Sequence, residues 1–105
     1  MDKDPIIQKI EERFRVPERI SDKIRNVAEK VRGGYVLFET RSQYNNPSLP
    51  WTKTVVFKMV FHNPSQKWKI YWMRGSGKWE YYDERKTLDG VLKVVKEDEN
   101  GCFWG

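Results

Sequence analysis

Apolar residues at helical spacing mark both ends of the chain. Near the N terminus, four of them share one helical face after Asp4 and Pro5, a pair typical of a helix start: Ile6, Ile7, Ile10 and Phe14. Near the C terminus, Thr87 can cap a second helix, whose apolar face is Leu88, Val91, Leu92 and Val95. The pattern predicts one helix over about residues 5–15 and another from Thr87 to a stop at Asn100-Gly101.

Between the helices, short segments rich in β-branched and aromatic residues predict strands. Turn residues separate these segments, with a loop over residues 45–50, a four-residue turn over residues 63–66 and a turn at Ser76-Gly77. The predicted strands cover residues 35–41, 52–62, 68–74 and 78–82. The short turns favour an antiparallel arrangement.

Residues 18–32 fit two interpretations. Their apolar side chains form a helical stripe, and periodicity alone favours a helix: Ile20, Ile24, Val27, Ala28 and Val31. The segment also runs into Arg32-Gly33-Gly34, a hairpin-type turn, so a strand over about residues 25–32 is the alternative. The residues by themselves leave this choice open.

The turns decide which side chains share a face of the sheet, because a shift of one residue exchanges the two faces. If Ser76-Gly77 is a two-residue turn and residues 63–66 a four-residue turn, one face collects the large apolar residues. They are Val55, Phe57, Met59, Phe61, Trp68, Ile70, Trp72, Trp79 and Tyr81. A three-residue turn would divide the tryptophans between the faces and bury Lys78 and Glu80, so we expect the two-residue turn.

These patterns predict an α+β fold with an N-terminal helix, an antiparallel meander of four to five strands and a C-terminal helix. Both helices are expected to pack on the tryptophan face, because their apolar stripes need a surface to cover. The length of 105 residues fits a single domain over residues 1–105. We expect Phe103 and Trp104 to fold back onto this core as a clasp.

The net charge of +5 is concentrated in the middle of the chain. Residues 51–86 contain eight Lys or Arg and three Asp or Glu. This excess suits a polyanionic partner and equally serves solubility. From residues 1–14 we expect no secretory signal, no apolar run in the sequence is long enough to span a membrane, and Cys102 is the single cysteine. We therefore expect a cytoplasmic protein that does not contact membranes.

The face opposite the tryptophans carries the candidate binding site. Its lysines and tyrosines are Lys58, Lys67, Lys69, Tyr71, Lys78 and Tyr82. Because single-stranded nucleic acid is held by cationic grooves and aromatic stacking, the first hypothesis is a non-catalytic domain that binds it on this face. The alternative is a module that contacts a second copy of the chain, or another protein, through the same face.

An enzyme is the third hypothesis. Glu39 and Arg41 share a strand face, either as a structural ion pair or toward a ligand. Glu39 with Lys58 would suit a metal-dependent nuclease, but no second carboxylate can be placed beside them. Cys102 and His62 would form a nucleophile–base pair only if the fold joined them. The sequence favours a non-enzyme over an enzyme, and it predicts no catalytic residue, metal site or cofactor.

Four phrases of the chain match the pattern of a known family: VLFETR at 36–41, FKMVF at 57–61, WKIYWMRGSGKWEYY at 68–82 and the terminal GCFWG. On these phrases the chain resembles the domain-of-unknown-function family 3024, over about residues 20–105. The resemblance favours a strand at 25–32. Ser42 follows Arg41 where the family usually has proline. The family has no established activity, cofactor or catalytic residues, so the resemblance implies no function.

Overall fold

The polypeptide forms a helix, a five-stranded sheet and a second helix in a computed structural model that describes residues 4–43 and 48–104. In chain order the elements are α1 (Pro5–Arg13), a 3-10 turn (Glu18–Ile20), β1 (Ile24–Val31), β2 (Gly34–Arg41), β3 (Thr52–His62), β4 (Lys67–Met73), β5 (Trp79–Arg85) and α2 (Leu88–Glu97). The strands lie side by side in sequence order, and each neighbouring pair is antiparallel. The predicted α+β meander is confirmed. Residues 45–47 of the predicted loop, and Gly105, lie outside the described residues.

The first helix begins at the predicted cap. The Asp4 carboxylate accepts a hydrogen bond from the Ile6 amide at 2.8 Å, and Pro5 takes the first helical position. The helix ends at Arg13, slightly before the expected boundary, because Phe14 leaves helical geometry with a φ of −111° and its ring enters the core. The other Asp4 oxygen accepts from the Tyr35 hydroxyl at 2.7 Å. The start of α1 is thereby fixed to β2.

The Tyr35 hydroxyl is expected to ionise late. Burial, followed by the hydrogen bond to Asp4, raises the pKa of Tyr35 from 10.0 to about 12. The pKa of Tyr35 in the folded state lies above its unfolded value. The protonated hydroxyl therefore stabilises the folded state fully below pH 10, and this stabilisation is lost as the pH rises through about 12. A spectrophotometric tyrosinate titration should show a late step near pH 12 that Tyr35→Phe removes and Tyr81→Phe leaves in place. A wild-type protein whose tyrosines all ionise near pH 10 while folded would contradict this.

Residues 24–31 form a strand, so the helix favoured by periodicity is wrong here and the alternative interpretation is confirmed. A two-residue turn at Arg32-Gly33 leads into β2, where Gly33 has a φ of 77° that suits glycine. β1 is an edge strand, paired only with β2 among the described strands. Glu11 of α1 accepts a hydrogen bond from the outward Ala28 amide at 3.0 Å, which satisfies one of the donors that an edge leaves free.

Both helices pack on one face of the sheet, as predicted. The largest fully buried side chains come from α1, from α2 and from strands β2, β3 and β4: Phe57, Ile10, Leu37, Met59, Ile70, Leu92, Val91 and Val95. Trp68 and Trp72 lie against this core and are partly buried. The prediction that Trp68 and Trp72 lie on the face covered by the helices is confirmed.

The C-terminal tail folds back as a clasp. α2 starts at the predicted cap, where Thr87 Oγ1 accepts from the Gly90 amide at 3.1 Å. It ends at Glu97, before the expected stop, because Asp98 adopts a left-handed conformation with a φ of 43°. The Asp98 carboxylate accepts from the amides of Phe103 at 3.0 Å and Trp104 at 2.8 Å. These bonds hold the tail so that the Phe103 ring is buried in the core.

The register of the β3–β4 hairpin is the predicted one. Phe61 lies opposite Trp68 and Met59 opposite Ile70. The four-residue turn over residues 63–66 therefore sets the faces of β4, and of β3 from Phe57 onward, as the sequence indicated. Val55 was expected on the core face, but a β-bulge between β2 and β3 places it on the opposite face, where it pairs with Phe38.

The register of the β4–β5 hairpin differs from the prediction. Its turn is a three-residue loop closed between Arg74 and Lys78, in which Gly77 has a φ of 84°. A glycine in the left-handed conformation is typical of three-residue hairpin loops. Tyr71 therefore lies opposite Tyr81, and the pairing shifts by one residue at Tyr82 through a β-bulge. The bulge returns Tyr82 to the core side, where its ring packs on Phe103 at 4.9 Å between centroids.

Candidate functional site

The face of the sheet opposite the helices is here called the open face. It presents Lys53 and Lys58 from β3 and Lys67, Lys69 and Tyr71 from β4. Alternate residues of a strand point to opposite sides, and the bulge between β2 and β3 brings Lys53 to the same side as Lys58. No helix among the described parts of the chain packs against it, since both helices lie on the other side. Lys53 is exposed and the other four side chains are half-buried, while the Val36 side chain on the same face is buried.

Four of the six predicted binding residues lie together on the open face: Lys58, Lys67, Lys69 and Tyr71. The changed register moves the other two. Lys78 closes the hairpin at the end of the sheet and is exposed, and Tyr82 contacts the core, so the predicted row of Lys58, Tyr71 and Tyr82 is corrected. The open face gains Trp79 and Tyr81 in their place. The Gly-Ser-Gly sequence of the turn could have indicated this, because its second glycine fits the last position of a three-residue loop.

Lys58 lies at the centre of an aromatic group. Its Nζ is 5.2 Å from the centroid of the Tyr71 ring and 5.0 Å from that of the Trp79 ring. Tyr81 packs edge-on against Tyr71 with centroids 6.1 Å apart, and it is 49% exposed. Here these four residues are named the Lys58 cluster. It brings one ammonium group and three aromatic rings to a half-exposed surface, where cation–π contacts hold the ammonium in place.

A second group of cations and rings lies toward the start of β3. The Arg25 guanidinium is 4.9 Å from the centroid of the Trp51 ring, and Lys53 Nζ is 4.7 Å from that of Phe38. Arg25 Nε donates to the Ser21 carbonyl at 2.7 Å, which leaves the terminal nitrogens of the guanidinium available. Here these four residues are named the Trp51 cluster. The sequence did not indicate it, because Arg25 belongs to the segment whose conformation was ambiguous.

The open face has more cations than carboxylates. Glu29 forms an ion pair with Lys53, and Glu84 forms one with Lys67 at 3.5 Å. Among the described residues, Arg25, Lys58 and Lys69 have no carboxylate within ion-pair distance. These three are here called the unmatched cations; Glu84 lies across the ladder from Lys69 but forms its ion pair with Lys67.

Glu84 is held in its charged form at the edge of the Lys58 cluster. It accepts a hydrogen bond from the Tyr81 hydroxyl at 2.8 Å. This bond, with smaller effects of Lys67 and Lys69, lowers the pKa of Glu84, and the same bond raises the pKa of Tyr81. Tyr81 is thereby kept as a neutral phenol with its ring fixed in orientation.

The residues considered for a metal-dependent nuclease do not come together. Glu39 pairs with Thr54 across the strands and Lys58 pairs with Val36, so the two side chains point to opposite faces of the sheet. Arg41 Nε instead donates to Glu39 at 2.8 Å, as a partly exposed ion pair. In the described part of the chain, no group of three or more His, Cys, Asp or Glu residues is placed to hold a metal ion.

Cys102 and His62 are also apart. His62 Nδ1 lies 2.8 Å from Ser65 Oγ at the β3–β4 turn. Burial raises the pKa of Cys102, with smaller effects of Asp98 and Glu80, and Glu80 pairs with Trp72 near the opposite end of β4. A thiol with a raised pKa is a poor nucleophile at neutral pH.

The fold and the open face define a small α+β protein whose two described helices lie on the same side of the sheet. The chain belongs to the domain-of-unknown-function family DUF3024, whose model matches residues 3–105. The match confirms the resemblance based on the hairpin and tail phrases and extends it over α1. No curated protein and no solved structure matches the chain. Within the described residues, neither helix is long and apolar enough to cross a membrane.

Proposed function

We propose that the protein is a non-catalytic domain that binds single-stranded nucleic acid on the open face of its sheet. The observation that carries the proposal is the Lys58 cluster, in which a cation without a carboxylate partner lies between two rings on a half-exposed surface. A single strand exposes phosphates and the flat faces of bases, and a ring beside a cation is complementary to both. We place this domain in the cytoplasm, in keeping with its single cysteine.

The proposed interaction has two physical parts. Phosphates would meet the unmatched cations Arg25, Lys58 and Lys69, which attract a polyanion over several ångströms and give the binding a dependence on salt. Bases would stack on Tyr71, Trp79 and Tyr81, and each stacked base contributes about 1–3 kcal/mol whatever its identity. Weak sequence preference is therefore part of the proposal.

A protein contact through the same face is the second candidate. It is favoured by the half-buried apolar side chains of Val60, Met73 and Trp79, which lie around the lysines. A symmetric contact between two copies would bring the unmatched cations of both into one interface, where like charges without water are unfavourable. The charge of the face therefore favours an anionic partner over a second copy.

Fluorescence anisotropy with a labelled single-stranded oligonucleotide of about 12 nucleotides tests the proposal. With three phosphate contacts, the affinity should fall about 20-fold between 50 and 200 mM salt. Lys69→Glu should weaken binding about tenfold. Lys78→Glu is the matched control, because it makes the same change of charge away from the open face and should have a much smaller effect.

Two results would overturn the proposal. One is the absence of binding at low salt. The other is equal loss of affinity in Lys69→Glu and Lys78→Glu, which would mean that net charge alone attracts the oligonucleotide. Light scattering on the same samples tests the second candidate: a stable dimer that Lys69→Glu alters would favour the protein contact.

A further inference from the structure

Two separate aromatic groups lie on one face of the sheet, and both include residues of β3. The Trp51 cluster contains Lys53 and the Lys58 cluster contains Lys58, on the same strand. The residues of β2 that pair with the two lysines, Thr40 and Val36, are four residues apart, which at about 3.3 Å per residue is about 13 Å. The extra residue at the bulge between β2 and β3 lets both lysines point to the same side despite their odd separation.

The surface between the clusters is apolar, and the carboxylate beside it is that of Glu29, across the ladder from Val36. It is formed by Val55 of β3 and by Val36 of β2, which is 5% exposed. Glu29, the nearest acidic side chain on this side, is neutralised by its ion pair with Lys53. A negatively charged chain could therefore cross from one cluster to the other without meeting an unpaired anion.

We infer that one single strand lies along β3 and engages the Trp51 cluster and the Lys58 cluster together, as two subsites about 13 Å apart. This inference rests on the proposed function and adds the path and length of the ligand. Stacked nucleotides advance about 3.4 Å along a strand, and unstacked ones about twice as far, so the distance corresponds to about two to four steps. A dinucleotide can occupy one subsite only, whereas a strand of about six nucleotides reaches both.

Joining two weak sites by one ligand raises affinity without any new contact, because binding at the second site becomes intramolecular. The affinity should therefore not rise evenly with length. It should rise about 100-fold between two and six nucleotides and then change only slowly.

A length series of oligothymidylates with two, four, six, eight and twelve nucleotides, measured by tryptophan fluorescence or competition at low salt, tests the inference. Trp51→Ala should lower the affinity for the eight-nucleotide ligand about 30-fold. It should lower the affinity for the dinucleotide about twofold or less, since the dinucleotide can still bind at the other subsite. Arg25→Glu should act in the same way without removing a ring. Thermal unfolding of each variant shows whether it is folded.

The outcomes separate the inference from the function on which it rests. If the twelve-nucleotide ligand does not bind at all, the proposed function is wrong and the two-subsite inference falls with it. Suppose instead that the twelve-nucleotide ligand binds, and that its affinity falls in Trp79→Ala but not in folded Trp51→Ala or Arg25→Glu. The proposed function then stands and the two-subsite inference is overturned. A smooth rise of affinity with length, without a step before six nucleotides, would also overturn the inference.

Discussion

Gly34→Ala is expected to destabilise the fold by at least about 3 kcal/mol, because β2 and β3 approach each other too closely for a side chain there. A Cβ at Gly34 would lie 1.9 Å from the Met59 carbonyl oxygen and 2.9 Å from the Val60 Cα. Both neighbours are backbone atoms of the central strand, so neither can rotate away. Accommodation would require β3 to move relative to β2 and would disturb the ladder at Gly34 and Val60.

Gly75→Ala is the matched control, since it makes the same chemical change at a position where a Cβ would meet no atom within 4 Å. Urea unfolding of both variants should show a much lower midpoint for Gly34→Ala and a nearly unchanged one for Gly75→Ala. In a domain of this size, the expected loss corresponds to a fall in Tm of about 12 °C or more. Equal midpoints would mean that β2 and β3 are not paired at Gly34 as described.

Much of this architecture follows from local chemistry that a sequence displays. The caps at Asp4 and Thr87 are side-chain hydrogen bonds to nearby amides, and both helices begin where these residues predicted. The β3–β4 register followed from a turn of fixed length between two strands of clear alternation. In each case the deciding atoms lie within a few residues of one another.

β1 could not be recognised by periodicity, because both of its faces are partly covered. Ile24 and Ala28 point to the helix side, and Val27 and Val31 point to the open face. Apolar residues at these positions reproduce helical spacing although the chain is extended. Only the pairing with β2, a tertiary contact, separates the two interpretations.

The β4–β5 register was mispredicted for a related reason. We expected Trp79 and Tyr81 on the core face with Trp68 and Trp72, but Trp79 and Tyr81 lie on the open face. The three-residue loop and the bulge at Tyr82 compensate for each other, so Tyr82 still reaches the core. A sequence pattern that assumes an unbroken ladder has no place for a bulge, and the aromatic content of the candidate site was therefore underestimated.

Lys58→Glu is expected to have the largest effect on oligonucleotide binding of any single change on the open face, lowering affinity about 30- to 100-fold, or about 2–3 kcal/mol. The change removes the cation between the Tyr71 and Trp79 rings and places a negative charge where a phosphate would approach. It should also weaken the dependence of affinity on salt, because one phosphate contact is lost. Anisotropy titrations at two salt concentrations measure both effects.

A loss of binding in Lys58→Glu has to be distinguished from a loss of structure. The two cation–π contacts contribute about 0.5–1 kcal/mol each at an exposed site, so urea unfolding should show a loss of at most about 2 kcal/mol. Lys58→Met, which keeps an apolar side chain of similar length but removes the charge, should fall between wild type and Lys58→Glu in affinity. If Lys58→Glu binds as well as Lys78→Glu, the Lys58 cluster is not the binding site. The unmatched cation would then be a structural feature of the sheet, held by its two neighbouring rings.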